Sequence, residues 1–221
     1  MVEDYRGIKK KYISYGAGVG STGLICYLYD DIDQYELIFV NHGGDYPETY
    51  EYLDYIQNAL KIKVTELKPN IDGFSSLYDY LSSNKIAPTR AFKFCTDKAK
   101  IRTIHRYCHE RPYITLHGIT FDERHRATGS SVKYEIIKYP LVDARIDRKG
   151  AIKLIKDMGL RVPHRSCCWF CFNATYKEIE ELKREYPELY KAREELYRND
   201  KMRRLAQQGQ CDLSLRRIEA V

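Results

Sequence analysis

A glycine-rich turn set between a strand-like run and a helix-like run leaves few folds open to this chain. Lys11-Tyr-Ile-Ser-Tyr15 reads as a strand, and the apolar spacing of Ser21-Thr-Gly-Leu-Ile-Cys-Tyr-Leu-Tyr29 suits a helix. Gly16, Gly18 and Gly20 sit in the turn between them. Small residues there let backbone N–H groups close around phosphate oxygens, with the positive end of the helix dipole behind them. The turn is not a P-loop, because Gly-x-x-x-x-Gly-Lys-Ser/Thr does not occur. It fits a dinucleotide fingerprint poorly, because no acidic residue ends the second strand. A turn used for tight packing alone is the other reading of these glycines.

The same alternation continues downstream. Glu36-Leu-Ile-Phe-Val40 and Lys63-Val-Thr-Glu-Leu67 read as strands flanking a helix over Pro47–Leu60, with proline at its first turn. Helical stretches around 73–83 and 96–109 lead to a strand over Tyr113-Ile-Thr-Leu116, and Ala151–Met158 is helical again. Strand and helix in this order predict a doubly wound, parallel α/β sheet. From Thr175 to about Asp200 the pattern becomes charged and helical, and Pro187 divides it into two helices. We expect an α/β domain over 1–172 and a helical C-terminal extension over 173–221.

At 221 residues and 26.0 kDa the chain has room for one such domain and little more. A mean hydropathy of −0.56 and the absence of a long apolar run exclude a helical membrane span, and the charged start carries no signal-peptide pattern. A soluble, cytoplasmic protein is the expectation. Seven cysteines, three of them at 167, 168 and 171, fit a metal or redox site better than a secreted disulfide framework.

The net charge of +6 is unevenly spread. Residues 1–80 carry 7 basic and 13 acidic side chains, whereas residues 81–165 carry 19 basic and 8 acidic. The middle of the chain is suited to an anion, whether nucleic acid or a phosphorylated small molecule.

Five segments, in order, resemble one family. The strand ending in Ser14 and the loop Gly16-x-Gly18-x-x-Ser21 resemble the pyrophosphatase (PP) loop of the adenine nucleotide alpha-hydrolase superfamily, most closely its phosphoadenosine phosphosulfate (PAPS) reductase-like family. That loop usually reads Ser-Gly-Gly-x-Asp-Ser, and Gly20 stands here where ATP-cleaving members carry the aspartate, which reductase members also lack. Phe39-Val-Asn-His-Gly-Gly-Asp-Tyr-Pro-Glu-Thr49 resembles the family's Asp-Thr-Gly-x-Glu-x-Pro-Glu-Thr, with Asn41 and His42 replacing Asp-Thr. Phe94-Cys95-Thr-Asp-Lys98-Ala-Lys100, His117-Gly118-Ile119-Thr-Phe-Asp-Glu-Arg124-His-Arg126, and Tyr139-Pro-Leu-Val-Asp143 followed by Cys168-Trp-Phe-Cys171 complete the series.

The resemblance implies an adenine nucleotide, ATP or PAPS/APS, with Mg²⁺ accompanying ATP. It places Ser14, Gly16, Gly18, Gly20, Ser21, Asn41, Gly118 and Ile119 at the nucleotide. Lys98, Arg124 and Arg126 are expected to stabilise the transferring anion, since charge builds on phosphate or sulfate oxygens during the reaction. Lys100 and Arg102 are further cations of the same segment. His42, His117 and His125 lie in or beside the motifs, where they can touch phosphate or serve as hydrogen-bonded surface residues.

Cys95, Cys167, Cys168 and Cys171 make a tetrathiolate set for a [4Fe–4S] cluster or, alternatively, zinc. Cys108 rivals Cys167 as fourth ligand, reduced structural cysteines are the plain alternative, and Cys26 reads as core. Family reductases carry a nucleophile in a C-terminal Glu-Cys-Gly-x-His, whereas this tail reads Gln210-Cys211-Asp212.

The implied activities are ATP pyrophosphatase chemistry that adenylates an acceptor for sulfur transfer, or thiol-dependent reduction of PAPS/APS to sulfite. From a different class comes a degenerate nucleotide- or nucleic-acid-binding protein. The partners open to it are a nucleic-acid acceptor, a sulfur-donor protein and a second copy in a homodimer.

Overall fold

The computed structural model describes residues 8, 10–89, 95–130 and 132–207. Five strands form one sheet: β1 (Lys11–Ser14), β2 (Glu36–Val40), β3 (Val64–Leu67), β4 (Tyr113–His117) and β5 (Glu135–Lys138). Every pairing is parallel, in the order β3-β2-β1-β4-β5. The chain winds outward from β1 to β3, returns to β4 beside β1, and so reverses direction between β1 and β4. In open α/β sheets such a reversal parts the loops at the carboxyl ends of the two strands and leaves a crevice there.

Alternation along the strands supplies two faces. Ile13, Leu37, Phe39 and Ile114 join the main core with α1 (Val19–Tyr27), α2 (Pro47–Leu60) and, later in the chain, α6 (Arg148–Asp157). Tyr12, Ile38, Val40 and Tyr113 face the other way, onto Ile104 and Cys108 at and just beyond α4 (Arg102–Tyr107).

A separate apolar cluster collects Leu77 and Leu81 of α3 (Leu77–Ser83), Ala99 of a π-helical segment (Cys95–Ile101), and the Trp169-Phe170 pair. Leu182 of α7 (Tyr176–Glu185) and Leu196 of α8 (Pro187–Gln207) also join it. The short α5 (Pro140–Asp143) follows β5.

The α/β class predicted from the alternation is the class found. β2 and α2 have the predicted bounds, and Pro187 opens α8. The first helix starts earlier than its apolar spacing indicated, at Val19, and passes into a 3-10 turn over Tyr29–Gln34. β5 was not predicted. Its four residues, all partly exposed, carry no inside-outside contrast from which a period could be read.

Candidate phosphate cleft and cysteine loop

Ser14 of β1 and His117 of β4 are register partners, so the loops that follow them leave the sheet side by side. Gly20 and Gly118 meet there backbone to backbone. A Cβ on Gly20 would lie 2.0 Å from the Gly118 carbonyl oxygen, and one on Gly118 would lie 2.5 Å from the Gly20 carbonyl. Only glycine permits that approach.

Ala17 turns the chain through a left-handed φ of +52°. The N–H groups of Gly16 and Gly18 then both donate to Ser21 Oγ, at 3.2 and 3.3 Å. Gly18 is the N-cap of α1 and has no side chain to cap it; Ser21 Oγ accepts from its N–H, and the first turn carries no acidic residue to offset the positive end of the helix.

Around this start opens a cleft of about 440 Å³. It is lined by Ser14, Gly16, Gly18, Gly20, Ser21, Gly118, Ile119 and Arg126 among the residues expected from sequence. The structure adds Thr120, Glu123, Arg148, Arg165 and Ser166. Arg126 is held by Glu123 at 2.8 Å, and Arg165 pairs with Glu178 of α7. Arg148 is exposed at the start of α6, where its backbone N–H donates to Asp122. His117 sits at the rim, its pKa lowered by burial.

Sequence reasoning missed Arg148 and Arg165 as individuals. Their only signal was membership of the basic middle segment.

Three expected residues lie outside the cleft lining. Lys98 donates to Asp72 at 2.9 Å and to Tyr80. Arg124 stacks on Phe121 and donates to its carbonyl. Asn41 closes the end of β2 by donating to Glu66 and accepting from Gly43 N–H and Tyr50. Lys100 lies close enough to His42 and Cys168 to perturb both. Arg102 pairs with Asp97, and His125 is exposed in the 3-10 turn Phe121–Arg126.

The cysteine loop lies over the end of β2. Asp45 and Cys168 form an antiparallel bridge, and Trp169 N–H donates to the Gly44 carbonyl. His42, fully buried, places Nε2 3.3 Å from Asp45 Oδ2 and 3.7 Å from Cys168 Sγ. Burial pushes the His42 pKa down to about 4 despite Asp45, and raises that of Cys168.

Asp45 is a functional-type residue that the sequence reading did not single out, although His42-x-x-Asp45 is a ligand-like spacing. Cys95 and Cys167 pack on the same apolar cluster as Cys168. Cys167 lines a crevice with Tyr46 and Glu178, and burial raises its pKa to about 11. Among the described residues no three cysteine sulfurs lie within 4.8 Å of one another, whereas His42, Asp45 and Cys168 do. Cys108 is buried against Tyr12 on the other side of the sheet, and Cys26 packs on the main core. Cys211 lies outside the described residues.

No protein-family model and no curated protein matches the sequence. Among solved structures the chain is similar to phosphoadenylyl-sulfate (PAPS) reductase from Candida auris in its phosphate complex. The TM-score is 0.56 and the identity 14%, over 72% of this chain and 78% of that one. The protein therefore has a PAPS reductase-like fold. No helix among the described residues is long and apolar enough to cross a membrane.

Proposed function

We propose that the protein binds an adenine nucleotide with its phosphate chain in the β1–β4 cleft, and that it cleaves ATP to adenylate an acceptor for sulfur transfer. The observation that carries this reading is the cleft itself. The start of α1, with no acidic residue in its first turn, and the side chains of Arg126, Arg148 and Arg165 line one cleft where the sheet reverses direction. Anionic oxygens are the complement of that arrangement.

In the reaction the acceptor oxygen attacks the α-phosphorus and the bond to the β-phosphate oxygen breaks, with pyrophosphate leaving. A sulfur nucleophile then displaces AMP from the adenylated acceptor. Arg126, Arg148 and Arg165 line the cleft, and in this reading they balance the charge that builds on the departing oxygens. No step in this reading runs through a metal cluster. A nucleic-acid acceptor or a sulfur-donor protein is the partner this reading calls for.

One observation favours a second reading, thiol-dependent reduction of PAPS or APS to sulfite. The backbone contact at Gly20 leaves no room for the carboxylate that ATP-cleaving relatives carry at this place. Incubation of the chain with ATP and Mg²⁺ should yield pyrophosphate. Arg148→Ala should weaken nucleotide binding by about tenfold, the worth of one charge-assisted contact. If ATP gives neither AMP nor pyrophosphate while PAPS with reduced thioredoxin gives sulfite, the order of the two readings reverses. Nucleic-acid binding that falls steeply with salt, with no turnover of either nucleotide, would leave the degenerate binding protein.

A further inference from the structure

The loop after β2 and the cysteine loop bring together three metal-binding side chains that the phosphate cleft does not use. The Nε2 of His42, a carboxylate oxygen of Asp45 and the Sγ of Cys168 all lie within 4.8 Å of one another. A tetrahedral zinc ion, with bonds of roughly 2.0–2.3 Å to nitrogen, oxygen and sulfur, holds such atoms about 3.3–3.7 Å apart. The His42–Asp45 and His42–Cys168 separations, 3.3 and 3.7 Å, match that spacing.

The surroundings point the same way. The His42 side chain is 0% exposed and that of Asp45 3%. A carboxylate and an imidazole taken this far from water need a strong partner, and a dication supplies one. Thiolate and carboxylate together carry two negative charges, which a single divalent ion neutralises. A mixed sulfur, nitrogen and oxygen donor set suits zinc.

We propose that His42, Asp45 and Cys168 are three ligands of one mononuclear zinc ion, in place of a four-thiolate site built on Cys95, Cys167, Cys168 and Cys171. The ion would tie the end of β2 to the cysteine loop at the Asp45–Cys168 bridge. Binding releases the Cys168 proton to solvent and changes no oxidation state.

The test uses the full chain purified without oxygen and without nucleotide, so its outcome is independent of the reading of the cleft. Elemental analysis should find close to one zinc per chain. X-ray absorption at the zinc edge should show a shell containing nitrogen or oxygen with no more than two sulfurs. His42→Ala, Asp45→Asn and Cys168→Ser should each lower zinc retention at least tenfold, whereas Cys95→Ser should retain it.

Absorption on the unmodified protein reads the donor set even where a variant fails to fold. A shell of three or four sulfurs, stoichiometric iron and sulfide, retention that depends on Cys95 instead of His42 and Asp45, or no stoichiometric metal would each overturn the proposal.

Discussion

At Gly20 a hydrogen atom in place of a side chain lets α1 begin against the loop after β4. A methyl group there would sit 2.0 Å from the Gly118 oxygen, and that oxygen is backbone, which cannot swing aside as a flexible side chain would. Gly20→Ala is therefore expected to cost about 1–3 kcal/mol of stability, the usual range for overpacking. It should also reduce nucleotide binding, because the shift falls on the cleft wall. Urea unfolding and nucleotide titration of the same variant check both parts, and an unchanged midpoint would count against the contact. The sequence located this glycine and the phosphate-type loop around it. It could not show that the partner is Gly118, because the two lie almost a hundred positions apart. His42 illustrates the same limit, since its segment was recognised but its burial against Asp45 and Cys168 was not.

Elements depend on clamps that propensity does not reveal. Glu135, the first residue of β5, accepts from Thr115 of β4 at 2.9 Å and from Ser130 in the preceding loop, and it lies 3.0 Å from His105 Nε2 of α4. Burial raises its pKa, but the hydrogen bonds from Ser130, His105 and Thr115 outweigh that and hold it below the ordinary 4.5. A depressed carboxylate stabilises the fold fully above pH 4.5, and that contribution fades as pH falls through the lowered folded value. Glu135→Gln is expected to destabilise the protein by about 1–3 kcal/mol near neutrality, with the deficit narrowing below pH 4.5. Urea unfolding at neutral and acid pH measures this. A deficit that does not change with pH would assign the loss to packing instead of charge. β5 escaped the sequence reading because all four of its residues are partly exposed, which leaves no alternation to read, although Ile136 packs on the main core. The helical pattern over 96–109 likewise did not separate the π-helical Cys95–Ile101 from α4, since a shift between two helical periods leaves little trace over so few residues.

Across the whole molecule, the C-terminal helices support the cysteine loop. Thr175 caps α7 by accepting from Glu178 N–H, while the Glu178 carboxylate accepts from Thr175 N–H and pairs with Arg165 at the cleft. Tyr197 of α8 donates to the Phe170 carbonyl, and Leu182 is buried beside Trp169 and Phe170. Leu182→Ala should cost about 2–5 kcal/mol as a core truncation. Because the cavity opens under the loop, it should also speed labelling of Cys168 by a thiol reagent. Loss of stability with unchanged labelling would mean that the helices pack without positioning the loop.

The amino-acid sequence alone determined the parallel α/β class, the glycine loop at the end of the first strand, the basic middle segment and the candidate cysteines. Each of these is written in local periodicity, composition or short spacing. Only the tertiary structure decided that Arg148 and Arg165 join the glycine loop, that Lys98, Arg124 and Asn41 take other partners, and that Cys168 meets His42 and Asp45. The physical reason is common to all three. The strand order β3-β2-β1-β4-β5 brings together loops far apart in the chain, and which side chains then meet is set by register and burial, which no local pattern encodes.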